Sequence, residues 1–167
     1  MDPSSFSLPG TKEITHLASL AVSSAKALFP PSHLTDGDVE TLWQSDGILP
    51  HFINITFIRR LCISHLAIFL DPQQDASYSP SQIAIRVGEH PAELRQLLVV
   101  SELEHHSGWS SIPLFEDDDS PGVQGSLIQL VMMSNLDSGR DSALRQIKIF
   151  TRDLSYRKSR HDLKWRL

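Results

Sequence analysis

The feature that most constrains this chain is an apolar residue at every second position, repeated in several separate stretches. Ile53, Ile55 and Phe57 alternate with Asn54 and Thr56, and Ile83, Ile85 and Val87 alternate with Ala84 and Arg86. Ile128, Leu130 and Met132 repeat the pattern, as do Ile147 and Ile149 around Lys148. Successive side chains of a strand point to opposite faces, so the pattern predicts half-buried antiparallel strands. Cys62–Leu70 and Leu97–Leu103 are denser apolar runs that predict central strands, and Trp109–Leu114 predicts a shorter one. Turn-forming clusters separate them: Asp71-Pro72, Tyr78–Ser81, His106–Gly108, Asp117–Gly122 and Asn135–Gly139. Helical periodicity is nearly absent. Pro30-Pro31 breaks the chain, and Thr35–Asp38 then predicts a capped helical turn through Leu42 and Trp43, with Val39 and Trp43 on one face. Roughly seven strands joined by turns make an all-β fold, a β-sandwich or jelly roll with short N-terminal helical turns.

A length of 167 residues suits one domain with appendages. Residues 1–13, with Pro3, Pro9 and Gly10, are expected to form a flexible N-terminal arm, and 14–151 the sandwich. Residues 152–167 carry Arg152, Arg157, Lys158, Arg160, Lys164 and Arg166 against Asp153 and Asp162, and predict an extended basic tail. The whole chain has a net charge of −5, so this tail of +4 leaves a body of −9. Six cations interrupted by acids beside an acidic body are a weak footprint for nucleic acid, and a protein partner is the better expectation. Glu116–Asp119 is read as a solvated loop tip. No apolar run approaches the roughly 20 residues that cross a membrane as a helix, and Met1–Ser5 lacks the start of a secretory signal. With Cys62 as the single cysteine, an intracellular, reducing compartment is expected.

No pair among the eight histidines has ligand spacing within one helix, so neither a metal nor a cofactor is expected. Cys62 opens an apolar run and reads as a small hydrophobe. The chain has no nucleophile elbow and no glycine-rich phosphate loop. What stands out instead are polar clusters at predicted strand ends, where a rigid sandwich carries its binding residues. Trp43–Gly47 sets a large ring beside hydrogen-bonding side chains, with a core ring the favoured reading of Trp43. Asp75–Ser81 bears hydroxyls, and Ser134–Asp141 offers amide, carboxylate and guanidinium together, with binding and structural roles equally open.

In these residues the chain resembles the DOC domain. Trp43-Gln44-Ser45-Asp46-Gly47, Pro50-His51 and Asn54-Ile55-Thr56-Phe57 carry the likeness first. Ser77–Ile83 running on to Arg86-Val87-Gly88 follows, then Ser107-Gly108-Trp109 with Pro113-Leu114. Gly139-Arg140-Asp141 and Arg145-Gln146-Ile147-Lys148-Ile149 complete it in the same order, so that it spans roughly residues 14–151. Within that family the chain is most similar to the free-standing DOC subunits of the anaphase-promoting complex. The resemblance implies a jelly-roll β-sandwich like galactose-binding and discoidin modules, in agreement with the periodicity.

The function it implies is non-catalytic substrate recognition within a multisubunit ubiquitin ligase of the cell cycle, in nucleus and cytoplasm. With a WD40 coactivator, such a subunit forms a co-receptor for the destruction box, an Arg-x-x-Leu degron, and promotes processive ubiquitination. Carried over by position, Ser77, Tyr78 and Ser79 match one degron-facing loop, and Asn135, Leu136, Asp137 and Ser138 the other. Trp43, Asp46, Gly139, Arg140 and Asp141 support those loops. Asn and Ser side chains suit a peptide main chain and Asp137 a basic side chain. A single such contact is worth roughly 0.5–1.5 kcal/mol, so affinity comes from sharing the degron with the coactivator. The family loop usually reads Asn-His where this chain has Asn135-Leu136. The family commonly ends in Ile-Arg, which docks in a tetratricopeptide-repeat subunit; this chain ends Trp165-Arg166-Leu167. The alternative on the same fold is a carbohydrate-binding module, for which Tyr78 is the only loop aromatic able to stack on a sugar.

Overall fold

In the computed structural model, residues 2–101, 103, 106–115 and 119–153 are described. Among them eleven strands run in chain order: β1 (Thr11–Glu13), β2 (Ala18–Val22), β3 (Trp43–Gln44), β4 (His51–Ile63), β5 (His65–Leu70) and β6 (Pro80–Gly88), then β7 (Arg95–Val100), β8 (Gly108–Pro113), β9 (Val123–Asn135), β10 (Ala143–Leu144) and β11 (Gln146–Arg152). They form a four-stranded sheet of order β1-β11-β5-β8 and a five-stranded sheet of order β2-β4-β9-β6-β7, with β10-β3 as a separate pair. Every pairing is antiparallel. The alternation in sequence becomes the core: Ile53, Ile55, Ile83, Ile85, Ile128, Leu130 and Met132 from one sheet meet Leu66, Ile68, Ile147 and Ile149 from the other. The expected jelly-roll sandwich is the observed fold.

Four local expectations change. The run Cys62–Leu70 is two strands, because the chain passes from one sheet to the other at Ser64. That residue is fully buried; its N–H donates to the Phe150 carbonyl at 2.8 Å and its own carbonyl accepts from Leu114 at 2.8 Å. The dense run from Leu97 lies on β7, an edge strand rather than a central one. Thr35–Asp38 caps no helix. A 3-10 turn occupies Pro31–Leu34 instead, and Asp36 folds the following loop by accepting from Asp38 N–H and Thr41 Oγ1. Trp43 is strand, fully buried, with its indole N–H donating to the Ser24 carbonyl at 3.0 Å.

The N-terminal segment is fastened to the sandwich where a flexible arm was expected. β1 pairs with β11, Phe6 stacks on Trp109 with ring centroids 5.0 Å apart, and Lys148 Nζ donates to the Ser4 carbonyl at 2.9 Å. The acidic run Glu116–Asp118 and the tail from residue 154 lie outside the described residues.

Candidate functional site

Register brings the two predicted loops together. β6 and β9 are antiparallel neighbours, with Pro80 opposite Asn135, so the segment before β6 and the segment after β9 emerge side by side. The loop before β4 and the loop after β2 open at the same end, since His51 pairs with Met132 and Val22 with Ile53.

The two loops are laced by backbone. Leu136 N–H donates to the Ser79 carbonyl at 2.9 Å, and Gly139 N–H to the Leu136 carbonyl at 3.0 Å. Gly139 has φ of −63°, which any residue adopts; its constraint is space, because a Cβ there would overlap the Ser77 carbonyl oxygen. Ala76, Asp137 and Ser138 have φ of 47°, 51° and 58°. Non-glycine residues adopt such values at a cost, and they concentrate where surrounding structure holds a working loop.

Of the residues assigned to peptide contact, two are not at the surface. Asn135 is 6% exposed, and its amide nitrogen donates to the Gly139 and Asp141 carbonyls, both at 3.0 Å, while its oxygen accepts from Ser142 Oγ at 2.7 Å. Both its donors are spent on the loop itself. Ser79 is 1% exposed, and its hydroxyl has no hydrogen-bond partner among the described residues. Tyr78, Asp137 and Ser138 are exposed, and Ser77 and Leu136 are half-buried.

The supporting residues divide in the same way. Asp141 accepts from Gly47 N–H at 3.0 Å and Ser45 Oγ at 3.3 Å, and pairs with Lys26 at 3.4 Å. Burial works against its ionised form, but the Gly47 N–H and the Lys26 ammonium outweigh that and hold its carboxyl below the usual aspartate range. Lys26 also lies 5.9 Å over the Tyr78 ring. Asp46 and Arg140 are exposed, and Trp43 is core. Trp165, Arg166 and Leu167 lie outside the described residues.

Sequence reasoning missed several residues that build this end. His51 Nε2 is 2.6 Å from the Arg140 carbonyl, and Ser142 N–H donates to Ser45 Oγ at 2.8 Å. Arg145 sits 4% exposed, with its guanidinium bidentate on Asp75 at 2.7 and 3.0 Å and its remaining nitrogen donating to the Val39 carbonyl at 2.9 Å. That pair pins the segment leading into Ser77. The motifs around His51 and Arg145 were a signal for both; Lys26 carried none.

No group of three or more His, Cys, Asp and Glu side chains among the described residues could hold a metal ion. Among solved structures the chain is similar to the family 32 carbohydrate-binding module of C. perfringens NanJ in complex with galactose, with a TM-score of 0.69, 13% identity, and coverage of 84% of this chain and 98% of that one. It is also similar to the fucolectin of Morone saxatilis, with a TM-score of 0.67, 8% identity, and coverage of 86% and 48%. At those identities the likeness is one of fold. Sequence relatives say more. The Homo sapiens anaphase-promoting complex subunit 10 is 39% identical over 151 residues, covering 90% of this chain and 80% of the human protein. The Schizosaccharomyces pombe subunit 10 is 33% identical over 148 residues, with coverage of 89% and 78%. The family profile described as "Anaphase-promoting complex, subunit 10" matches residues 4–164, taking in both loops and the sandwich that brings them together. The chain belongs to the anaphase-promoting complex subunit 10 family.

Proposed function

We propose that this protein is a non-catalytic substrate-recognition subunit of the anaphase-promoting complex ubiquitin ligase, acting in nucleus and cytoplasm. It forms a destruction-box co-receptor with a WD40 coactivator and promotes processive ubiquitination during cell division. Its tail, Trp165-Arg166-Leu167, docks in a tetratricopeptide-repeat subunit. The observation that carries this reading is the family match over residues 4–164. The loop end supports it with an exposed Tyr78, Asp137 and Ser138 on two laced loops, groups that suit an extended peptide. A carbohydrate-binding role draws only on fold. Tyr78 is the one aromatic among the strongly exposed large apolar side chains of the described residues.

The test is ubiquitination by the reconstituted complex carrying Leu136→Ala, Asp137→Ala and Ser138→Ala together. These residues are not core, so the variant should fold and incorporate. Chains on a destruction-box substrate should shorten, with KM rising roughly tenfold, equivalent to the loss of one or two contacts. Wild-type chain lengths would rule out this loop as the receptor surface.

A further inference from the structure

The end of the sandwich opposite the two laced loops carries a cleft of about 430 Å³, a size within the roughly 300–1,000 Å³ usual for ligand sites. Leu97, Leu114, Phe115 and Val123 form its apolar wall, and the charged residues that line it, among the described residues, are Arg60 and Arg95. Phe115 is held from two sides. His65 meets its ring edge-on at 5.2 Å between centroids, and the Arg152 guanidinium lies 4.6 Å over it. Gly122 lets the segment before β9 close on β4, because a Cβ there would overlap the Ile63 carbonyl oxygen.

A bulge delivers Arg60. Thr56 pairs with Leu127 and Leu61 with Gly125, so Phe57–Arg60 stand opposite Ser126 alone. An insertion of this kind bends a strand and re-aims its side chains, and here it carries Arg60 out of the ladder to the cleft. Glu89 meets Arg60 through Nε at 3.5 Å, while its other carboxylate oxygen accepts from Ser126 Oγ at 2.6 Å. The two terminal nitrogens of Arg60 stay open to a ligand. Arg95 is exposed and has no ion partner among the described residues. Two guanidiniums beside an apolar wall complement carboxylates flanking a large apolar side chain.

Position narrows the occupant. β6 runs from Pro80 at the loop end to Gly88, next to Glu89, and its nine residues set the cleft roughly 25–30 Å from the loops. A partner seated in the cleft leaves the loop end open, and the chain belongs to a family of subunits of a larger complex. We propose that the cleft is the seat of a neighbouring subunit, taking a segment in which carboxylates flank one large apolar side chain. Arg60 and Arg95 receive the carboxylates, and Leu97, Leu114, Phe115 and Val123 receive the apolar group. This goes beyond the degron-receptor reading and does not rest on it.

The experiment titrates the anaphase-promoting complex lacking this subunit with the full chain, either wild type or carrying Arg60→Glu and Arg95→Glu together. Both altered residues are exposed, so the melting temperature should stay within about 3 °C of wild type. The Kd for entry into the complex should rise roughly tenfold. Wild-type affinity overturns the proposal. A second measurement leaves the arginines intact and places a photo-reactive residue at Gln124, which lines the cleft and is exposed. In the assembled complex it should crosslink to a segment of another subunit that bears carboxylates beside a large apolar residue. A crosslink to a segment without carboxylates overturns the proposal, as does the absence of any crosslink to another subunit. A crosslink back to Glu116–Asp118, which lie outside the described residues, also overturns it by giving the cleft to the chain's own acidic run. When the arginine variant saturates the complex, ubiquitin chains on a destruction-box substrate should match wild type in length. Shorter chains at saturation would assign the cleft to the substrate and overturn its role as a subunit seat.

Discussion

Asn135 shows how one side chain can hold a whole loop in shape. Its amide bridges the Gly139 and Asp141 carbonyls and takes the Ser142 hydroxyl, closing the loop that presents Asp137 and Ser138. Asn135→Ala leaves those buried groups unpaired, and a loss of about 2 kcal/mol in urea unfolding is expected. Asn135→Asp should be worse, because it sets an acceptor against two carbonyl oxygens. Arg145 is the counterpart for the other loop. Arg145→Ala leaves Asp75 buried and unpaired, and should cost about 3–5 kcal/mol by the same measurement. Sequence displayed Asn135 in a cluster suited to ligand or structure alike, and Arg145 only within a family motif. Whether a side chain points at solvent or at its own backbone depends on the turn it sits in, and neither composition nor periodicity carries that direction.

Among the elements, loops gain their geometry from strands. Asp141 joins three of them, through Gly47 before β4, Lys26 after β2 and its own place after β9. Its folded-state carboxyl is held below the ordinary aspartate range. An acid depressed in this way contributes stability above its unfolded pKa, and that contribution is lost as pH falls through the folded value. Below about pH 4, the Gly47 amide should therefore lose hydrogen-exchange protection before the β4 and β9 core does. Asp141→Asn should abolish that pH dependence, and its persistence in the variant would assign it to another group. The periodic strands around Ile55, Ile85, Leu130 and Ile149 were legible because a sandwich strand buries every second residue. The break at Ser64 and the edge position of β7 were not. A polar residue satisfied by a neighbouring sheet looks locally like any other strand residue, and edge position depends on partners distant in sequence.

At the scale of the molecule, the N-terminal segment completes the outer face of the four-stranded sheet. Phe6 stacks on Trp109 and meets Phe150 edge-on at 6.1 Å, while the Trp109 indole N–H donates to the Pro3 carbonyl at 2.9 Å. Phe6→Ala should lower the melting temperature by about 3–6 °C, from the roughly 1–2 kcal/mol of a partly buried aromatic contact. It should also raise acrylamide quenching of tryptophan emission, since Trp43 stays buried and Trp109 is uncovered. Unchanged quenching would show that the segment does not cover Trp109 in solution.

Sequence alone determined the all-β class, the strands with one buried face, the family and the two loops worth attention, because alternation and ordered motifs are local properties. Tertiary structure decided that Asn135 and Ser79 turn inward while Tyr78, Asp137 and Ser138 face out. It also decided that Lys26, Asp46 and Ile48 share their end of the sandwich. Those outcomes depend on β2, β4, β6 and β9 meeting in one antiparallel register, which joins residues as far apart in sequence as Lys26 and Asp141.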